Sequence, residues 1–171
     1  MTTIGNALML ASALSLGLAC GSPKEGQTAA NVSVVYPSSH RYVEHQTLET
    51  GSISQFTATA NFKFSSSSEW MNHYNAHRGY GQSYGTAPYV DFNSSAIVAI
   101  HLGQRPNAGH RVNIVSVSDD YTDNTIQIRY EVVVDNSMYW QNGVHFPYAF
   151  VSVTPRDREF RFIRLTTRYQ Q

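Results

Sequence analysis

His73 and His77 stand four residues apart, a spacing that puts two imidazoles on one face of a helix, where both suit a single divalent cation. The residue after His73 is Tyr74, so the His-Glu-x-x-His pattern of a zinc hydrolase lacks its general base. A third ligand has to come from outside the helix, from His101, His110 or Asp91. His77 also falls on the apolar stripe of that helix, where a partly buried histidine bonded to its neighbours is the plainer expectation. Gly81-Gln82-Ser83-Tyr84-Gly85 matches the Gly-x-Ser-x-Gly of a nucleophile elbow, but that turn needs a strand before it and a helix after it. A Gly- and Tyr-rich loop precedes Ser83, and Thr86-Ala87-Pro88 follows. Asp91 has the chemistry of a general acid or base; beside Asn93 it reads as a turn or capping residue. The chain is therefore expected to be non-catalytic and without a cofactor, His73 and His77 being weak candidates for a metal.

The chain has one cysteine, and its place carries more information than its number. Residues 1–19 contain no charged side chain, and residues 7–19 form an apolar run of the length of a signal-peptide core, too short to span a bilayer. Gly17 and Ala19 give the small-x-small pattern of a cleavage site. Leu16-Gly17-Leu18-Ala19-Cys20 resembles a bacterial lipobox, which implies lipid attachment at Cys20 and anchoring by more than one acyl chain. Residues 21–31 are small and polar and read as a flexible tether. The expected organisation is a signal peptide over 1–19, the lipid-attachment cysteine and tether over 20–31, and one β-rich domain over 32–171. A single cysteine also leaves no intramolecular disulfide and no cysteine-based zinc site.

Composition narrows the function classes. Among 171 residues, 12 Lys and Arg balance 12 Asp and Glu, so the chain lacks the basic excess that nucleic-acid binding demands. With 8 Phe, 11 Tyr and 2 Trp it has ample material for one core. Near the end, Arg156, Arg158, Arg161, Arg164 and Arg168 face only Asp157 and Glu159. That basic edge suits an acidic partner or anionic lipid, and equally suits a solvated strand protected from aggregation.

The elements that position these residues are mostly strands. Residues 32–36 and 52–64 read as strands. Ser65 to Ser68 then offer N-caps, with Glu69 as capping-box partner of Ser66, and Trp70, Met71, Tyr74 and His77 form one stripe of a short helix. Residues 96–102 are continuously apolar, as in a central strand buried on both faces. Arg111 opens an alternating strand whose period breaks at Ile114-Val115, predicting a bulge before Val117. Residues 119–124 are a turn cluster. Residues 125–134 alternate cleanly, with Ile126, Ile128, Tyr130, Val132 and Val134 inward. Residues 144–153 form another strand, in which Pro147 requires an edge or a bulge, and residues 160–165 form the last. Short strands with turn signals between them predict a mainly β, antiparallel sandwich or barrel-like domain with one short helix.

The middle of the chain resembles a known family. Val90-Asp91-Phe92, then Leu102-Gly103 closing an apolar strand, Pro106 with Gly109 in the following loop, Val112-Asn113-Ile114, and Pro147-Tyr148 are similar to the C-terminal domain of the protease complex subunit PrcB family. Trp70 and Tyr74 match its upstream helix. Residues 107–110, Asn-Ala-Gly-His, depart from the family's loop, and Glu131 is followed by valines where the family has a proline. The resemblance implies a secreted or lipid-anchored accessory protein that partners a surface protease. The same loop is more remotely similar to a binding loop of chagasin-type protease inhibitors.

Gly103, Pro106 and Gly109 make the loop at 104–110 stiff, and they hold Arg105 and His110 in place. Tyr139 and Trp140 stand in a polar loop, where aromatic residues serve interfaces or carbohydrate stacking. The expected contacts with a partner are thus Arg105, Pro106, Gly109, His110, Tyr139 and Trp140. The sequence reads as a non-catalytic, exported, lipid-anchored binding module of the bacterial cell envelope, at the outer membrane or periplasmic face. It would associate with a protease or another envelope protein and not with nucleic acid. Two other readings stay open: a metal-assisted hydrolase using His73 and His77, and a glycan- or envelope-binding structural lipoprotein.

Overall fold

The alternation of residues 125–134 sets the middle of one sheet. In the computed structural model, which describes residues 39–79, 86–138, 142–154 and 157–170, this segment is the strand β7 (Thr125–Asp135). It pairs antiparallel with β6 (His110–Asp120), and β6 pairs antiparallel with β1 (His40–Tyr42). The register shifts between Ile114 and Ser116, the bulge that the adjacent Ile114 and Val115 predict. On its other side β7 pairs with β10 (Glu159–Arg164) and, further along, with β11 (Arg168–Gln170). Both of these pairings are parallel, so the closing edge departs from the antiparallel expectation.

The second sheet runs β2-β9-β4-β3, all antiparallel, from β2 (His45–Gly51), β9 (Tyr148–Val153), β4 (Ala96–His101) and β3 (Ala60–Phe64). Two predicted strands are divided. Residues 52–64 form β3 only from Ala60, because the chain first leaves the sheet and brings Ser54 beneath the helix. Residues 144–153 split at Pro147, which cannot donate to a ladder, into β8 (Asn142–His145) and β9. β8 pairs with β5 (Arg105–Asn107) in a separate two-stranded ribbon. The predicted strand at 32–36 and the leader and tether at 1–31 lie outside the described residues.

The two large sheets form a sandwich. Val98, Ile100 and Leu102 of β4 and its extension, with Ala149, Val151 and Val153 of β9, pack against Val112, Val117, Ile126, Ile128, Tyr130, Val132 and Val134. The alternate residues of β4 and β9 point the other way. There Ile97, Ala99, Tyr148 and Phe150 meet Trp70 and Tyr74 of α1 (Ser67–Arg78). β4 and β9 are thus covered on both faces, which explains the unbroken apolar run at 96–102.

α1 starts where the sequence places it: the Ser66 hydroxyl accepts from the Glu69 N–H at 3.3 Å, while the Glu69 carboxylate reaches back to the Ser65 N–H. Its buried stripe is Trp70, His73, Tyr74 and His77, and Met71 is 43% exposed. The stripe expected through Met71 is therefore corrected: positions i, i+3, i+4 and i+7 face the sheet, and His73 takes the place that hydrophobicity assigned to Met71.

Candidate functional site

Two constellations bring the sequence-selected residues together. The first lies between α1 and the sheet. His73 and His77 project down from the helix, and His101, one strand step beyond Ile97 and Ala99, projects up from β4. All three imidazoles are buried: His73 is 8% exposed, His77 1% and His101 0%. The Nε2 atoms of His73 and His101 are 3.0 Å apart. The Ser54 hydroxyl joins the other end of His101, at 3.4 Å from its Nδ1, to the Nδ1 of His77 at 2.8 Å, and it also accepts from the Phe56 N–H. The result is one chain of polar contacts, His73–His101–Ser54–His77, enclosed by Phe56, Phe62, Phe64, Tyr148 and Phe150.

Proton bookkeeping follows from these contacts. Each nitrogen-to-nitrogen or nitrogen-to-hydroxyl contact needs one donor and one acceptor, so three neutral rings fill the chain with one proton per contact. The Nε2 of His77 is buried and has no hydrogen-bond partner. Burial is the first cause lowering all three pKa values from the ordinary 6.5, to about 4 for His73 and about 3 for His77 and for His101. Arg78 and then His73 add to the effect on His77, and His73 and His77 add to it on His101.

The network is bordered at one end by Glu49 of β2. Its carboxylate accepts from the Tyr74 hydroxyl at 3.0 Å, from Arg78 at 2.5 Å and from the Tyr148 hydroxyl in a short contact. Tyr148 in turn meets the His77 ring edge-on, with centroids 4.2 Å apart. Burial first, and then Glu49, raises the Tyr148 pKa.

His73 and His77 do not converge on one point. The Nε2 of His73 is directed to His101 and the Nδ1 of His77 to Ser54. No group of three or more His, Cys, Asp or Glu among the described residues is arranged to hold a metal ion. His101 is brought to His73, as a third-ligand reading required, but as a hydrogen-bond partner. His110 opens β6 and bonds to Asn107, and Asp91 holds a turn by accepting from the Asn93 N–H at 2.9 Å and from the Ser94 hydroxyl.

The second constellation is the ribbon. Arg105 pairs with His145 and Asn107 with Asn142. The loop at 104–110 and the segment following Tyr139-Trp140, about 35 residues apart in sequence, therefore share one two-stranded unit outside both large sheets. It is anchored by glycine. Gly103 has φ +70°, and a Cβ there would sit 2.7 Å from the backbone of Ala58 and Thr59. Gly109 is buried and comes so close to Asp135 that its carbonyl accepts the Asp135 N–H at 2.9 Å. Asn107, 2% exposed, accepts from the Gly109 N–H and bonds to the His110 ring at 2.9 Å.

Pro106, Gly143 and Val144 of the ribbon are exposed, Val144 at 59%, as is Gln104 just before it, with Arg105 half-buried beside them. Burial lowers the Arg105 pKa first, and Arg164 nearby lowers it further. Burial also lowers that of His110, with help from Arg105 and His145. Gly109 and His110 thus hold the loop, while Arg105 and Pro106 present it.

Among the described residues of the basic edge, Arg158 meets Asp119, Arg161 meets Asp123 and Arg168 meets Glu131. Cys20, Ser83, Tyr139 and Trp140 lie outside the described residues. Ser54 and Glu49 are the residues that sequence reasoning missed; neither stands in a motif, and only the buried contacts give them a role.

The chain matched no protein-family model, no curated protein and no solved structure.

Proposed function

We propose that the chain is a non-catalytic binding module, exported and held at the cell envelope through Cys20, that presents the β5–β8 ribbon to a protein partner. The observation that carries this reading is the pairing of β5, which holds Arg105 and Pro106 of the loop selected from sequence, with β8, which sets that loop in a ribbon outside both large sheets. A stiff ribbon loses little conformational freedom on binding, which favours affinity. Pro106 and Val144 offer exposed apolar surface, and Arg105, a residue type enriched at interfaces, a charged group with a rigid backbone behind it. By its resemblance to the PrcB family, the partner would be a secreted or surface protease. The test is co-purification from native membranes with the wild type, Pro106→Asp and Val144→Asp. The reading expects a partner recovered with the wild type and lost from both variants at unchanged stability. Equal recovery with all three contradicts it.

A further inference from the structure

The sandwich core between the two large sheets contains no residue of α1, whereas the second apolar cluster, on the outer face of the β2-β9-β4-β3 sheet, is closed by Trp70 and Tyr74 of that helix. The helix can therefore separate without opening the main core, the situation in which a segment opens sub-globally. The groups facing the three imidazoles decide what drives such an opening. From α1 these are Tyr74 and Arg78, from β2 Glu49, and from β9 Tyr148. β3 gives this face Phe62 and Phe64, its Lys63 lying instead over the Phe160 ring. The segment at 87–92 gives Ala87, Val90 and Phe92, and its Asp91 is exposed. Glu49 is already shared by two hydroxyls and a guanidinium.

Closed, the network accommodates little positive charge. A proton on His101 can be donated to His73 and Ser54, but a second on His73 sets two N–H groups head to head across 3.0 Å. A proton on the free nitrogen of His77 is buried without an acceptor. Open, all three rings meet water and take up protons near the ordinary pH of a histidine.

We propose that α1 is an acid-released latch: protonation of His73, His77 and His101 frees the helix from the sheet and uncovers the apolar face formed by Phe64, Ile97, Ala99 and Phe150. Below about pH 6.5, each histidine that protonates on opening multiplies the opening constant by about tenfold per pH unit, so three give up to about a thousandfold.

Amide hydrogen exchange of the full chain, followed by mass spectrometry and corrected for intrinsic rates, reads this constant. Between about pH 6.5 and 4.5, peptides covering α1 should lose protection with a slope approaching three protons while peptides of β6 and β7 keep theirs. His77→Phe, which keeps a flat ring among aromatic neighbours, should lower the slope by about one. A pH-independent α1, or α1 and β6–β7 losing protection together, overturns the proposal. The wild-type measurement decides between these outcomes even where the variant fails to fold.

Discussion

The Nε2 atoms of His73 and His101 meet 3.0 Å apart, one from the helix and one from the sheet beneath it. The spacing of His73 and His77 suggests one shared ion, yet the Nε2 of His73 is directed to His101 and the Nδ1 of His77 to Ser54. The third imidazole joins through Ser54, and the packing around all three is aromatic.

Ser54 is the hub of that arrangement, 4% exposed and touching both rings and the Phe56 N–H. Ser54→Ala leaves the Nδ1 atoms of His77 and His101 without this partner, and a buried polar group so deprived costs about 1–3 kcal/mol. Urea unfolding at neutral pH should show that loss. An unchanged midpoint would mean that the hydroxyl contributes nothing to the fold.

The pH dependence has a definite sign. The folded pKa values of His73, His77 and His101 lie below the ordinary 6.5, at about 4, 3 and 3. The unfolded chain therefore binds more protons in the window between those values and 6.5, and stability falls as pH drops through it. Each histidine contributes at most about 1.4 kcal/mol per pH unit. Asp135, held below its ordinary value of 3.8 by the Ser137 hydrogen bonds, acts only in a more acidic window. Urea midpoints that decline steadily from about pH 6.5 to 5 agree with this account; a flat profile there disagrees.

Gly103 joins the buried β4 segment to the ribbon at φ +70° with backbone 2.7 Å from where a Cβ would stand. Gly103→Ala forces a side chain into a left-handed conformation and into the backbone at Ala58 and Thr59, at a cost of about 1–3 kcal/mol. Thermal denaturation should show the loss, and partner recovery should fall with it. Wild-type stability in this variant would contradict the close approach.

Glu49 gathers Tyr74, Tyr148 and Arg78 on one carboxylate, with side-chain exposures of 20% for Glu49 and 29% for Arg78. Glu49→Gln removes the charge that these donors share, and a charge-assisted hydrogen bond contributes about 1.5–3 kcal/mol before allowing for its partial exposure. Chemical denaturation should place the variant below the wild type but short of the full range.

Much of this fold can be read from residue order because its signals are local. The alternation from Ile126 to Val134, the broken period at Ile114-Val115 and the Ser66–Glu69 cap each reveal one element without its neighbours. Relations across the fold are not encoded that way. His101 shares a face with Ile97 and Ala99, but that this face lies under α1 follows from the β2-β9-β4-β3 order. His73 yielded its place on the stripe to Met71 because hydrophobicity ranks Met above His, while burial here selects the i+3 position. The parallel docking of β10 and β11 on β7 depends on a connection that crosses residues 136–158, with no sequence signal for its destination. Likewise the ribbon appears only when Arg105 meets His145.

Site-specific photo-crosslinking in the native membrane tests the central claim most directly. A crosslinking residue at position 106 or 144 samples the ribbon, and one at position 122 samples the β6–β7 turn at the opposite end of β6. The account predicts the same protein adduct from positions 106 and 144 and none from 122. Adducts of equal yield from all three, or none from the ribbon, would contradict it.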